Sequence, residues 1–308
     1  MGTFTISLDC EGRWGTADYD TAFEAMITDD ALRKIYDRLF ACLERSGVQA
    51  TFAVVGAFSL SVDALREHPL LTNPPSAQHE EWTARARQQV LQSGETSGWT
   101  LPGIRQQIID GGHELATHGF SHLPFSDRWM NHEAAEAEVS HLREWISSST
   151  APVTSIVFPR NQVHKLPQLH GLGIRTYRRR IDRDYGAGVT PREILEEVNP
   201  WGRPESIDEA IVDDDMVGLP PGRFFNRRAG ARALVPPLLT ARSWITTVER
   251  AADQPDGAAH LWLHPHNLLE SETQFGLLER VISHAGALVS DGRLSCATMA
   301  ELDQRVRP

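Results

Sequence analysis

With 308 residues, 41% of them hydrophobic, the chain can bury a sizeable core without disulfide staples, and its length allows one α/β barrel or two smaller domains. A formal charge of −11 argues against a general nucleic-acid binder, and no run approaches the ~18 apolar residues that a membrane span needs. Cys10, Cys42 and Cys296 are too scattered for a disulfide framework, and the N-terminus carries no basic or apolar leader, so a cytoplasmic location is expected.

Thr3–Leu8 alternates and is rich in strand formers, then delivers Asp9-Cys10-Glu11-Gly12; Gly12–Gly15 opens a loop over the strand end. Residues 28–46 follow a helical period, capped by Thr28 or Asp29 and stopped at Ser46-Gly47, with Leu32, Ile35, Leu39, Phe40 and Leu43 on the apolar stripe. Gln49–Gly56 reads as a buried parallel strand. Residues 73–100 turn polar, with Pro74-Pro75 and a Gly94–Gly98 segment around a helical run, either a lid over a site or a surface excursion. A helix over 101–111 leads into an alternating run that ends at His118. Residues 131–147 are amphipathic, with Ala134, Ala137, Leu142 and Trp145 turned inward.

Residues 155–158 form the next strand, ending at Pro159-Arg160-Asn161, and 166–173 fit a short helix with a glycine stop. The strand over 174–181 carries a basic run, Arg175, Arg178, Arg179 and Arg180, followed by Arg183. In an acidic chain this run suggests a grip on substrate phosphate; the alternative is that it solvates the strand or pairs with Asp182, Asp184 and Asp213–Asp215. Helices are expected at 241–252 and 273–285, around a strand at 259–264 that delivers His264-Pro265-His266-Asn267, and a closing strand at 295–299.

His118 and His122 lie four apart, a spacing that puts both imidazoles on one face of a turn, where one metal ion accepts both. The first strand ends in carboxylates and a late one in imidazoles, as catalytic groups do at the C-terminal ends of parallel strands.

This set resembles the polysaccharide deacetylase family, the metal-dependent carbohydrate esterases with a NodB-type domain. The resemblance rests on Leu8-Asp9-Cys10-Glu11-Gly12, Gly112-His113-Glu114 with His118-Gly119-Phe120-Ser121-His122, Phe158-Pro159-Arg160-Asn161-Gln162, Asp182-Arg183-Asp184-Tyr185 and Leu261-Trp262-Leu263-His264. Gly119 stands where the family prefers Ser or Thr, Cys10 and Glu11 replace the second of paired aspartates, and Arg160 lies one position late. The resemblance implies one distorted (β/α) barrel over 1–308 with an insertion at 73–100. It implies a divalent ion, zinc by donor type, held by Glu11, His118 and His122.

In that reading Asp9 is the base that takes a water's proton and His264 the acid that protonates the leaving amine. Arg160 orients Asp9, Asp182 fixes the tautomer of His264, and Trp14 and His266 meet the substrate. Asp9 is also an alternative metal ligand, and His266 an alternative acid. His113 is read as structural and buried beneath the site, Cys10 as a small buried residue. The expected activity is hydrolysis of an N-acyl group, most simply N-acetyl, on an amino sugar or sugar-containing small molecule. The alternatives are a deformylase or other linear amidase on a non-sugar substrate, and a carbohydrate-binding protein with a decayed site.

Overall fold

The first strand, β1 (Thr3–Cys10), is buried along its whole length, and its period-two pattern sorts its side chains to two destinations. Phe4, Ile6 and Leu8 join the large core under the helices. Thr3, Thr5, Ser7 and Asp9 face the other way. The computed structural model describes residues 1–16, 22–164, 167–180, 191–199, 205–213 and 215–306.

The remaining strands are β2 (Thr51–Val54), β3 (Glu114–Thr117), β4 (Ser155–Ile156), β5 (Thr176–Arg178), β6 (Glu205–Ser206), β7 (Ile211–Asp213), β8 (Met216–Leu219), β9 (Arg223–Phe224), β10 (Gly257–Leu263) and β11 (Ser295–Cys296). One sheet runs in the order β6-β10-β1-β2-β3-β4-β5-β8-β7. It is parallel from β10 to β8 and ends in antiparallel edge strands on both sides. This is the expected distorted (β/α) barrel, curled around a second, smaller core of Ala53, Ala116, Val157, Val217, Leu219, Ala297, Met299 and Leu302. Asp9 lies level with Ala53 and Arg178 with Leu219, so the polar residues of β1 and β5 face the same interior as this apolar set.

The helix over Asp29–Ser46 begins and ends as its sequence dictates. Thr28 caps its first turn, and Gly47 at φ 60° closes it in the left-handed conformation. The helices Pro237–Ala252 and Glu272–Ser290 extend further than their apolar stripes suggest. In the helix His132–Ser147, Ala135, Glu138 and Val139 are buried where Ala137 was expected. Residues 73–100 contain the helical run expected of them. They fold into short helical segments, Ala77–Trp82, Ala84–Arg87 and Gln88–Gln92, that bury His79, Trp82 and Trp99. No helix among the described residues is long and apolar enough to cross a membrane.

His113 is structural but does not lie beneath the site. It precedes β3, at the far end of that strand from His118, against the rings of Phe40 and Phe52 (5.8 and 5.2 Å). Burial holds His68 and His113 down to about 4, and His260 to about 3. A folded-state pKa below the ordinary 6.5 means that the unfolded chain takes up protons first, so stability is lost as pH falls through 6.5. The carboxylates with lowered pKa, Asp9, Glu11 and Glu138, begin to act only below their ordinary values of 3.8 and 4.5. The window from 6.5 to 4.5 therefore reports on imidazoles. Glu205, pushed by burial up to about 7, works in the opposite sense across it. We expect His260→Gln to lose less stability than wild type between pH 6.5 and 4.5, by roughly 2–3 kcal/mol. Urea unfolding at the two pH values measures it, and parallel losses would show that His260 is not buried neutral.

Candidate metal centre

The C-terminal ends of β1, β3 and β10 bring their polar residues to one place. Glu11, one residue beyond β1, points a single carboxylate oxygen, Oε2, at two imidazoles: His118 Nε2 at 3.2 Å and His122 Nε2 at 2.8 Å. All three side chains are almost completely buried. Its other oxygen, Oε1, lies 3.7 Å from His264 Nε2 and 3.8 Å from His266 Nε2. Burial raises the pKa of Glu11, but the surrounding His264, His122 and His118 outweigh it and hold the carboxyl well below its usual range. His122 is held below its ordinary value, first by burial and then by His118 and Arg160.

Hydrogen positions make this cluster informative. His118 Nδ1 lies 2.7 Å from the Val157 carbonyl, which can only accept, so Nδ1 carries the hydrogen. Its Nε2 faces the Glu11 carboxylate at 3.2 Å, as the lone pair of a neutral ring or the donor of a protonated one. Neither nitrogen of His122 makes a hydrogen bond, although Nε2 is close to Glu11. Two imidazole nitrogens converging on one carboxylate oxygen are the arrangement of ligands around a cation, and two imidazoles with one carboxylate form a zinc-type donor set. Glu11, His118 and His122 fit a divalent ion, and Glu11, His264 and His266 form a second group of similar spacing.

Asp9 is placed differently. Arg178 Nη1 and Nη2 donate to its Oδ1 and Oδ2 at 2.9 and 2.7 Å, a two-point ion pair with both partners buried. Burial raises the pKa of Asp9, but Arg178, His118 and His264 together bring it below the ordinary value. The guanidinium is itself held. Nη1 also donates to Ser7 Oγ and Nη2 to Asn161 Oδ1, and the Arg178 plane lies 4.0 Å from the Trp262 ring centroid. His260 Nε2 meets Ser7 Oγ at 2.9 Å from the far side.

Arg178 therefore does what was expected of Arg160. The backbone turns left-handed at Arg160 (φ 56°), and Nη2 donates to the Gly15 carbonyl while the guanidinium lies 5.7 Å from Trp82. That direction takes Arg160 to the His122 side of the site. The expected phosphate grip is also lost at Arg178, whose donors are taken by Asp9, and Arg175 turns to the His170 and Ile174 carbonyls.

Three further expectations meet the structure. Trp14 is completely buried, donates from Nε1 to the Trp99 carbonyl and packs edge-on against Trp99, so it presents no face to a substrate. His266 is buried beneath His264, with the rings stacked at 5.4 Å and 10°, and burial lowers its pKa to about 3; it adjoins Glu11 rather than an open surface. Asp182 lies outside the described residues. The residue that meets His264 Nδ1 among those described is Asn267, whose Nδ2 is 3.3 Å away. Cys10 is buried, and burial pushes its thiol up, against any nucleophilic use. His264 has 26% of its side chain exposed and its Nε2 lies 3.6 Å from Asp9 Oδ2, which makes it the reachable member of the cluster.

Residues 23–165 match the polysaccharide deacetylase family. The matched stretch contains His118, His122 and Arg160; Asp9, Glu11 and His264 lie outside it and are brought alongside by folding. No curated protein matches the sequence. Among solved structures, one from Mycobacterium smegmatis assigned as a polysaccharide deacetylase shares 15% identity with a TM-score of 0.60, over 99% of this chain and 90% of its own. A family 4 acetyl xylan esterase from Clostridium thermocellum, in complex with a cobalt ion, is 11% identical with a TM-score of 0.47, over 98% of this chain and 91% of its own. The fold shared with the Mycobacterium smegmatis structure extends over nearly the whole chain, beyond the stretch that the family match covers.

Proposed function

We propose that this protein is a metal-dependent hydrolase that removes an acetyl group from a saccharide, with N-acetyl as the preferred form. The observation that carries the metal is the convergence of His118 Nε2 and His122 Nε2 on one oxygen of Glu11. The family match of residues 23–165 supports the reaction class. When bound, a divalent ion supplies Lewis-acid polarisation of a carbonyl and lowers the pKa of water toward ~7.

The chain's own residues divide the remaining work. Glu11 brings the negative charge that the two neutral imidazoles lack. Asp9 stays ionised and is fixed in direction by Arg178, so it is the group that takes a proton from an attacking water. His264 is placed to return a proton to the leaving nitrogen, with Nε2 facing the carboxylates. Asn267 meets Nδ1 with its amide nitrogen and, turned over, would meet a protonated Nδ1 with its oxygen. One side chain thus serves both states of the ring. Burying Asp9, Glu11, His118 and His122 around the centre keeps bulk water from competing for these donors.

An amide needs its leaving nitrogen protonated far more than an ester needs its leaving oxygen protonated. His264→Ala should therefore reduce turnover of an N-acetyl saccharide by about 10²–10⁴ while sparing an O-acetyl one. Release of acetate, or of formate from N-formyl analogues, measured across N-acetyl sugars, O-acetyl sugars and linear amides tests the assignment. Equal losses on both acetyl classes would move His264 out of the acid role. Turnover confined to linear amides or formyl compounds would replace the saccharide reading.

A further inference from the structure

The loop that carries both histidines is gripped from outside the metal cluster. Gly119 and Phe120 accept through their carbonyls from the backbone N–H groups of Gly56 and Ala57, each at 2.9 Å. The backbone N–H groups of Phe120 and Ser121 donate to Oε1 of Glu138, and Ser121 Oγ donates to Oε2 at 2.7 Å. The Ser121 carbonyl accepts from Trp82 Nε1 at 3.1 Å.

Glu138 comes from the helix His132–Ser147 and is completely buried. Its fourth partner is His79 Nε2, at 3.4 Å. The Glu138 carboxylate can only accept, so His79 Nε2 carries the hydrogen; Ser76 Oγ accepts from the His79 backbone N–H and meets Nδ1 at 2.8 Å. Both lone-pair directions of each carboxylate oxygen are thereby used. These hydrogen bonds and His79 hold the carboxyl below its usual value against the effect of burial.

Gly119 makes this possible. It has φ +75°, and a Cβ there would come 3.1 Å from Glu138 Oε1 and 3.0 Å from Pro159 Cγ. The residue without a hydroxyl is the one that lets a carboxylate approach. Immediately after the gripped pair, His122 adopts φ 60°, a left-handed conformation uncommon outside glycine.

We propose that Glu138, with His79 and Trp82 from the 73–100 segment, is the positioning group that fixes His122 as a metal ligand. It acts through the Phe120–Ser121 backbone and takes the place of a hydroxyl at position 119. The segment's contribution to function is thus to aim a ligand rather than to cover the site. This proposal rests on the metal reading above, and the same titration separates the two.

The probe is Co2+, whose visible absorption reports ligand geometry, added to metal-free wild type, His118→Ala, Glu138→Gln and Ser121→Ala. Glu138→Gln keeps the shape but sets an amide N–H₂ against donors. It should weaken Co2+ binding by about 10–100-fold and alter the visible spectrum of the saturated protein, with the fold retained by far-UV circular dichroism. Ser121→Ala removes one hydroxyl, serves if the first variant does not fold, and should weaken binding severalfold. Wild-type affinity and spectrum in the folded variants would overturn the positioning role, even if their unfolding midpoints fell. Co2+ binding to wild type that survives His118→Ala would overturn the metal reading itself, and the proposal with it.

Discussion

Replacing Arg178 with methionine should destabilise the protein by about 3–5 kcal/mol and remove turnover, a larger effect than any other single change outside the metal ligands. The reason is what remains. Asp9 is 1% exposed, and Arg178 is the partner among the described residues that donates two hydrogen bonds to its charge. Removing one member of a buried pair costs far more than the pair contributes, because the survivor has been stripped of water. The double variant Arg178→Met with Asp9→Leu should accordingly recover most of the lost stability while activity stays absent. Urea unfolding of the single and double variants measures both terms. A single variant as stable as wild type would mean that Asp9 reaches water and that the ion pair does not hold the site.

Exchanging the two carboxylates for their amides should give opposite phenotypes. Glu11→Gln removes the carboxylate charge on which His118 and His122 converge, so metal should be lost first and activity with it. Asp9→Asn should leave metal in place and reduce turnover by about 10²–10⁴, because a fixed proton acceptor is lost while the ligands stay. Metal content and turnover measured on the same folded samples decide between them. Metal lost from Asp9→Asn but kept in Glu11→Gln would reverse the two roles.

Much of this was readable from residue order. Period-two alternation in Thr3–Leu8 gives β1, and a four-residue spacing gives the histidine pair. Long helices with apolar stripes were located to within a few residues, because amphipathic periodicity is a local signal. What escaped was non-local. Arg178 looked like one of a basic run, and only the curl of the sheet brings β5 across to β1, where its inward parity points the guanidinium at Asp9. Arg160 ended a strand as the motif asks, but a left-handed turn carried its side chain elsewhere. Trp14 reads as a loop aromatic that meets substrate, and only the fold brings Trp99, distant in sequence, over it. Glu138 was one acidic residue on a helix, and nothing in the local pattern distinguished it from its solvated neighbours. Gly119 was the one visible sign, a glycine where a hydroxyl was expected.

The central claim is that Glu11, His118 and His122 hold an ion that the reaction needs. Elemental analysis of protein purified without added metal, alongside His118→Ala and His122→Ala, tests it most directly. The account predicts about one divalent ion per wild-type chain, with zinc foremost, and loss of that ion and of deacetylation from both variants while circular dichroism reports an intact fold. Full metal loading or full activity in either folded variant would contradict it.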